Sequence, residues 1–138
     1  MAEEYKKPLP EPNVDTKAFW EAARAHELKL QRCEECGAFR YYPRPICPEC
    51  MSLEFAWERV SGRGRVYTYT VIHRAPHPGF REDVPFVMAV VTLDEGPRML
   101  TNVVGCPPEA VRIDLPVEVV FEDATAEISL PKFRPAAG

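Results

Sequence analysis

Four of the five cysteines fall into two Cys-x-x-Cys pairs, Cys33-Glu34-Glu35-Cys36 and Cys47-Pro48-Glu49-Cys50, with ten residues between them. Each such turn aims two sulfurs at one point, and two turns complete the tetrahedron that Zn²⁺ accepts in a closed structural site. Cys33, Cys36, Cys47 and Cys50 are therefore expected to bind one structural zinc ion per chain. A thioredoxin-type redox pair would be a single Cys-x-x-Cys in a βαβ setting, a pattern this chain does not carry. Ligand type alone leaves iron open beside zinc, because four thiolates suit both. They also leave no coordination position for water or substrate, so the expected role of the metal is structural.

Gly37 suits the backbone bend after the first pair. Met51 stands at the equivalent place after the second and is expected to follow with a different backbone angle. A tetrathiolate zinc site is a net dianion, and Arg32, Arg40 and Arg44 lie close enough in sequence to offset part of that charge.

Cys106 would be left without a partner in an extracellular disulfide framework, so a reducing, cytoplasmic compartment fits better. The polar start, Met1-Ala2-Glu3-Glu4-Tyr5-Lys6-Lys7, has no secretory apolar core, and no apolar run approaches the ~20 residues of a membrane span. The formal charge of −4 argues against non-specific nucleic-acid binding, which works by neutralising phosphates.

Along the chain, residues 1–14 are proline-rich and charged and read as a flexible arm. Asp15 can cap a helix over 15–27, where Phe19, Ala22, Ala23 and His26 recur at helical spacing. Phe19 and Trp20 are adjacent, hence about 100° apart on that helix. A short helix cannot easily cover both, so one of them is expected at a partner interface or against the ribbon. Residues 28–53 form the cysteine module, with short strands at 28–31 and 39–42, and Pro43, Pro45 and Pro48 exclude a helix there.

From residue 54 to 138 the pattern is β. Strands are expected at 55–60, 64–72, 86–93, 99–104 and 117–121, rich in Val, Thr and Tyr. Five strands in so short a span suit a small closed Greek-key barrel such as an OB-fold. Residues 128–133 read as a short edge strand before a free tail. The connection over 74–85 is the longest in the barrel region and a usual kind of place for binding. His26, His73 and His77 carry no catalytic motif, and Cys106 has no histidine near it in sequence.

The pieces Phe19-Trp20-Glu21, Cys33-x-x-Cys36-Gly37, Tyr42-Pro43-Arg44-Pro45-x-Cys47-Pro48-x-Cys50, Trp57, Ser61-Gly62-Arg63-Gly64-x-Val66-Tyr67-Thr68-Tyr69-Thr70, Pro85-Phe86, Leu93-Asp94-Glu95-Gly96 and Leu130-Pro131-x-Phe133-Arg134-Pro135 follow one another in order over residues 16–135. In this order and spacing the chain resembles the zinc-ribbon/OB-fold proteins that accompany thiolase-like enzymes in acyl-CoA metabolism. That resemblance implies a mostly β fold: an N-terminal helix, a rubredoxin-like zinc ribbon and a five-stranded OB-fold barrel. It also implies a thiolase-like partner that supplies the nucleophilic cysteine, and contact with coenzyme A. Arg59, Arg63, Arg65, Arg74 and Arg81 offer cations suited to its phosphates, with Arg63 and Arg65 on one face of their strand. The expected function is that of a non-catalytic accessory subunit of a thiolase-type complex, making or breaking carbon–carbon bonds in acyl-CoA substrates. The alternative from another class is a single-strand nucleic-acid-binding module, a role both folds also serve.

Overall fold

The computed structural model describes residues 5–136. One helix, α1 (Lys17–Arg24), precedes eight strands: β1 (Lys29–Cys33), β2 (Phe39–Arg40), β3 (Phe55–Arg59), β4 (Arg63–Ile72), β5 (Phe86–Leu93), β6 (Arg98–Val103), β7 (Pro116–Asp123) and β8 (Ser129–Pro135). They form a three-stranded sheet in the order β2-β1-β3 and a closed barrel in the order β4-β5-β6-β8-β7. The mostly β fold with one N-terminal helix, a zinc-ribbon-like region and a five-stranded OB-type barrel is thus the one the sequence implies.

The helix is capped two residues earlier than expected. Asn13, rather than Asp15, carries the cap: its side-chain oxygen accepts from the amides of Asp15 and Thr16, and Thr16 Oγ1 accepts from the Asn13 amide at 3.0 Å. This reciprocal pair satisfies donors that a helix start leaves orphaned. At the other end the amides of His26 and Glu27 bond back to Ala23 and Ala22, a Schellman closure that places His26 at φ 61°. Phe19, Ala22 and Ala23 face inward. Phe19, Leu28 and Leu30 join Val66, Val91 and Phe133 in one continuous core, so the helix ties the ribbon to the barrel.

Two strands change places relative to the sequence expectation. The segment expected to open the barrel at 55–60 instead lies in the ribbon, where β3 pairs along the whole of β1, from Lys29↔Arg59 to Cys33↔Phe55. The fifth barrel strand is β8, expected as an edge strand with a tail. It pairs along β7 and closes against β6 in parallel at Val103↔Phe133. Pro131 and Pro135 are tolerated for a directional reason. The Phe133 carbonyl accepts from Val104 on the β6 side, and residues two away share that direction. The missing proline N–H groups therefore fall on the side where β8 makes few bonds, while β7 bonds the alternate residues.

The expected arm also differs. Residues 1–4 lie outside the described residues, but Lys7 pairs with Asp83 and rests on Phe80, so the chain from Tyr5 is laid against the 74–85 loop. Its partners are remote in sequence, and composition could not announce them. Among the described residues no helix is long and apolar enough to cross a membrane.

Candidate metal centre

The four cysteine sulfurs lie within 4.8 Å of one another. Cys33 and Cys50 sulfurs are 3.5 Å apart and those of Cys36 and Cys47 3.7 Å. Sulfurs bonded to a tetrahedral zinc at ~2.3 Å stand about 3.8 Å from each other, so the donor set fits such an ion. Cys33 and Cys47 are buried, Cys36 and Cys50 exposed.

The two knuckles share one construction. Cys33 and Cys47 take amide bonds back from Gly37 and Met51 at 3.0 and 2.9 Å, and donate their own amides to Ala38 and Ser52 at 2.9 and 3.0 Å. Gly37 has φ 78° and Met51 φ 68°. Both therefore occupy the left-handed region, and the different angle expected for Met51 is corrected: the knuckle geometry wins over the residue type.

The amides of Cys36 and Glu35 donate toward Cys33 and, against desolvation, hold its thiol down at about 6. Cys50 and Glu49 amides lower Cys47 in the same way. Cys50 is drawn down by the Ser52 amide, yet its hydrogen bond with Cys33 and desolvation push it up to about 12. Cys33 and Cys47 are thus the two thiols held low, and a bound metal displaces the protons that the sulfurs carry.

The three arginines expected around the site have separate tasks. Arg32 donates to the Gly37 carbonyl at 3.0 Å and pairs with Glu58. Arg40 is 4% exposed, donates to Gln31 and to the Arg44 carbonyl, and lies over the Phe55 ring at 4.9 Å. Arg44 donates to the Tyr42 carbonyl at 3.2 Å.

The candidate anion contacts do not form one cluster. Arg63 and Arg65 share the exposed face at the start of β4, where Arg65 donates to the Asp114 carbonyl. Arg74 and Arg81 lie exposed beyond the other end of that strand. Of the candidate interface pair, Phe19 is 1% exposed, while Trp20 is half-buried at 4.9 Å from the Phe19 ring, its indole N–H enclosed without an acceptor.

Sequence reasoning missed one polar cluster. His26 Nε2 and the Ser129 hydroxyl both bond Asp123 Oδ1, at 2.7 and 2.5 Å, and His26 stacks on Phe121. These bonds, Ser129 first, hold the Asp123 carboxyl below its ordinary range. Ser129 bonds the carboxylate and not the imidazole, so this is a tie between helix end and barrel and not a nucleophile–base pair. His77 Nδ1 accepts from the Gly79 amide and fixes a turn. The Cys106 thiol is pushed up by burial. Among the described residues no serine, threonine or cysteine side chain is hydrogen-bonded to a histidine.

A four-cysteine ribbon built on an OB-type barrel defines the class of protein. Residues 20–56 match the ChsH2 rubredoxin-like zinc ribbon domain and residues 57–122 the ChsH2 C-terminal OB-fold domain. A DUF35 domain-containing scaffold protein of Pyrococcus furiosus is 34% identical over 85% of this chain and 90% of its own. A probable enoyl-CoA hydratase alpha subunit of Thermomonospora curvata is 42% identical over 94% of this chain, which spans only 40% of that protein's length. The BbsA subunit of the benzoylsuccinyl-CoA thiolase of Geobacter metallireducens is 31% identical over 68% of this chain and 61% of its own. Among solved structures, a chain of the Ltp2-ChsH2(DUF35) aldolase superposes with TM-score 0.84 at 41% identity, covering 94% of this chain and all of the other. The chain belongs to the ChsH2/DUF35 family of zinc-ribbon/OB-fold proteins.

Proposed function

We propose that the chain is a non-catalytic accessory subunit of a thiolase-type complex that cleaves or forms carbon–carbon bonds in acyl-CoA substrates, with one structural zinc on its four cysteines. The observation that carries this reading is the match, over 94% of its length, to a chain of the Ltp2-ChsH2(DUF35) aldolase. Similarity to a thiolase subunit and to DUF35 scaffold proteins supports it.

Zinc supplies folding energy here, because an ion that joins the two cysteine turns binds the folded ribbon and not the unfolded chain. Trp20 is the contact for the thiolase-like chain, since its neighbour Phe19 is committed to the core. Coenzyme A phosphates meet either Arg63 and Arg65 or Arg74 and Arg81, because the two pairs stand at opposite ends of β4.

The test is co-expression with a candidate thiolase-like partner chain from the same genome, followed by purification and acyl-CoA turnover. The expected result is an assembly whose turnover needs both chains and survives Cys106→Ala. Turnover by this chain alone, or its collapse in Cys106→Ala with assembly intact, overturns the reading.

A further inference from the structure

The outer wall of the barrel and the 74–85 loop line a half-open cavity of about 460 Å³, within the range of small-molecule sites. The apolar part of its wall is Phe80, stacked on Phe86 with centroids 5.3 Å apart, together with Val103, Val104, Val120 and Phe121. Nothing in the metal centre or the proposed partner contact uses it.

Two cations reach the cavity, Lys7 and Lys132, and both are largely buried, with side chains 16% and 17% exposed. Each is closed on a carboxylate, Lys7 on Asp83 and Lys132 on Glu122. The lining therefore offers no uncompensated charge. A charged guest would have to surrender its hydration without a free counter-ion, at a cost that a neutral guest avoids.

One polar group is left over. Asn102 donates from Nδ2 to the Val87 carbonyl at 3.0 Å, which fixes the amide's orientation, and its oxygen accepts from no protein group among the described residues. A guest with a single O–H or N–H would satisfy it.

The arm forms the remaining wall by a built contact. A Cβ at Gly79 would stand 2.3 Å from the Lys6 carbonyl oxygen, so only glycine lets loop and arm approach this closely. The Lys7 ammonium lies 5.3 Å from the Phe80 ring centroid and 5.8 Å from that of Tyr5. Burial pushes the Tyr5 phenol above its ordinary range.

We propose that this cavity is a binding site for an uncharged, mainly apolar small molecule bearing one hydrogen-bond donor, such as an alicyclic or aromatic alcohol or a secondary arylamine, held by Asn102 and roofed by the arm. It is independent of the thiolase-partner reading and can be tested on the isolated full chain.

The probe is N-phenyl-1-naphthylamine, which is neutral and apolar with a single N–H. Its fluorescence titration is expected to saturate at one dye per chain. 8-Anilinonaphthalene-1-sulfonate has the same ring skeleton with a fixed negative charge and is expected to bind about tenfold more weakly or worse. Val120→Phe, which fills the cavity, should abolish saturable binding. Asn102→Leu should weaken it about tenfold by removing the acceptor. Gly79→Ala should both weaken binding and expose the Lys6–Lys7 peptide bond to trypsin. Circular dichroism and metal content verify that each variant is folded, and Asn102→Leu carries the test should Val120→Phe not fold. The proposal is overturned if the wild-type chain shows no saturable binding of the neutral dye, if the sulfonate binds as tightly, or if the folded cavity and Asn102 variants bind like wild type.

Discussion

The barrel buries Val66, Val91, Leu93, Val117 and Phe133 against one another, whereas the ribbon contributes Leu28 and Leu30 and fills the rest of its interior with Gln31, Arg40 and two cysteines. A closed sheet of five strands has no free edge and an apolar centre, so its cohesion is the ordinary hydrophobic kind. A three-stranded sheet with a two-residue outer strand lacks that area, and the four sulfurs supply the missing tie. The difference teaches that one short chain can use two separate sources of stability, joined through Phe19 on α1.

The largest expected effect follows from that division. Cys47→Ser removes a buried ligand and should abolish stoichiometric metal binding, with a loss of several kcal/mol from the ribbon. Hydrogen exchange should show protection lost in β1, β2 and β3 while β4 to β8 keep theirs. Loss of barrel protection in step would break the comparison and show that the shared core makes one cooperative unit.

Phe133→Ala is the converse. Phe133 has no exposed surface and lies where β8 closes the barrel, so its removal should cost about 3–5 kcal/mol by chemical denaturation. Metal content at low denaturant should stay near one ion per chain. Metal release from the still-folded variant would mean that the ribbon leans on the barrel more than its ligands imply.

At the joint between the regions, Trp20→Ala should weaken association with the proposed thiolase-like partner by about 2 kcal/mol in a titration, with secondary structure and metal content unchanged. Unaltered affinity would mean that Trp20 serves only the internal packing on Phe19.

How much of this was legible depended on whether the signal was local. The metal centre was written in two four-residue turns, and the alternation of Val, Thr and Tyr announced the barrel strands. Which strands share a sheet was not local. β3 and β8 look alike in composition to their neighbours, and only pairing across the chain sends one to the ribbon and the other to the barrel. Asn13 as the cap could have been found from its position three residues before Thr16, a reciprocal spacing that Asp15 overshadowed. The cavity had a single sequence clue, Gly79 among the prolines of a long loop, and its meaning depends on an arm more than seventy residues earlier.

The smallest predicted effect sharpens the comparison within the ribbon itself, between its two knuckles. Both place the residue after the last cysteine of the pair in the left-handed region, Gly37 at φ 78° and Met51 at φ 68°. For a residue with a Cβ this conformation costs roughly 1–2 kcal/mol, while glycine adds back roughly 0.5–1 kcal/mol through the flexibility it gives the unfolded chain. Met51 is 72% exposed, so little packing is lost on removing its side chain. Met51→Gly should therefore stabilise the metal-loaded protein by about 0.5–1 kcal/mol in denaturation at fixed zinc concentration. Gly37→Ala provides the mirror experiment. The nearest atom to its added Cβ would be Arg32 Nη2 at 3.8 Å, so there is no clash, and its cost should be conformational, about 1 kcal/mol. A Met51→Gly protein no more stable than wild type, beside a destabilised Gly37→Ala, would show that the knuckles are unequal and that the Met51 side chain contributes stability from its exposed position.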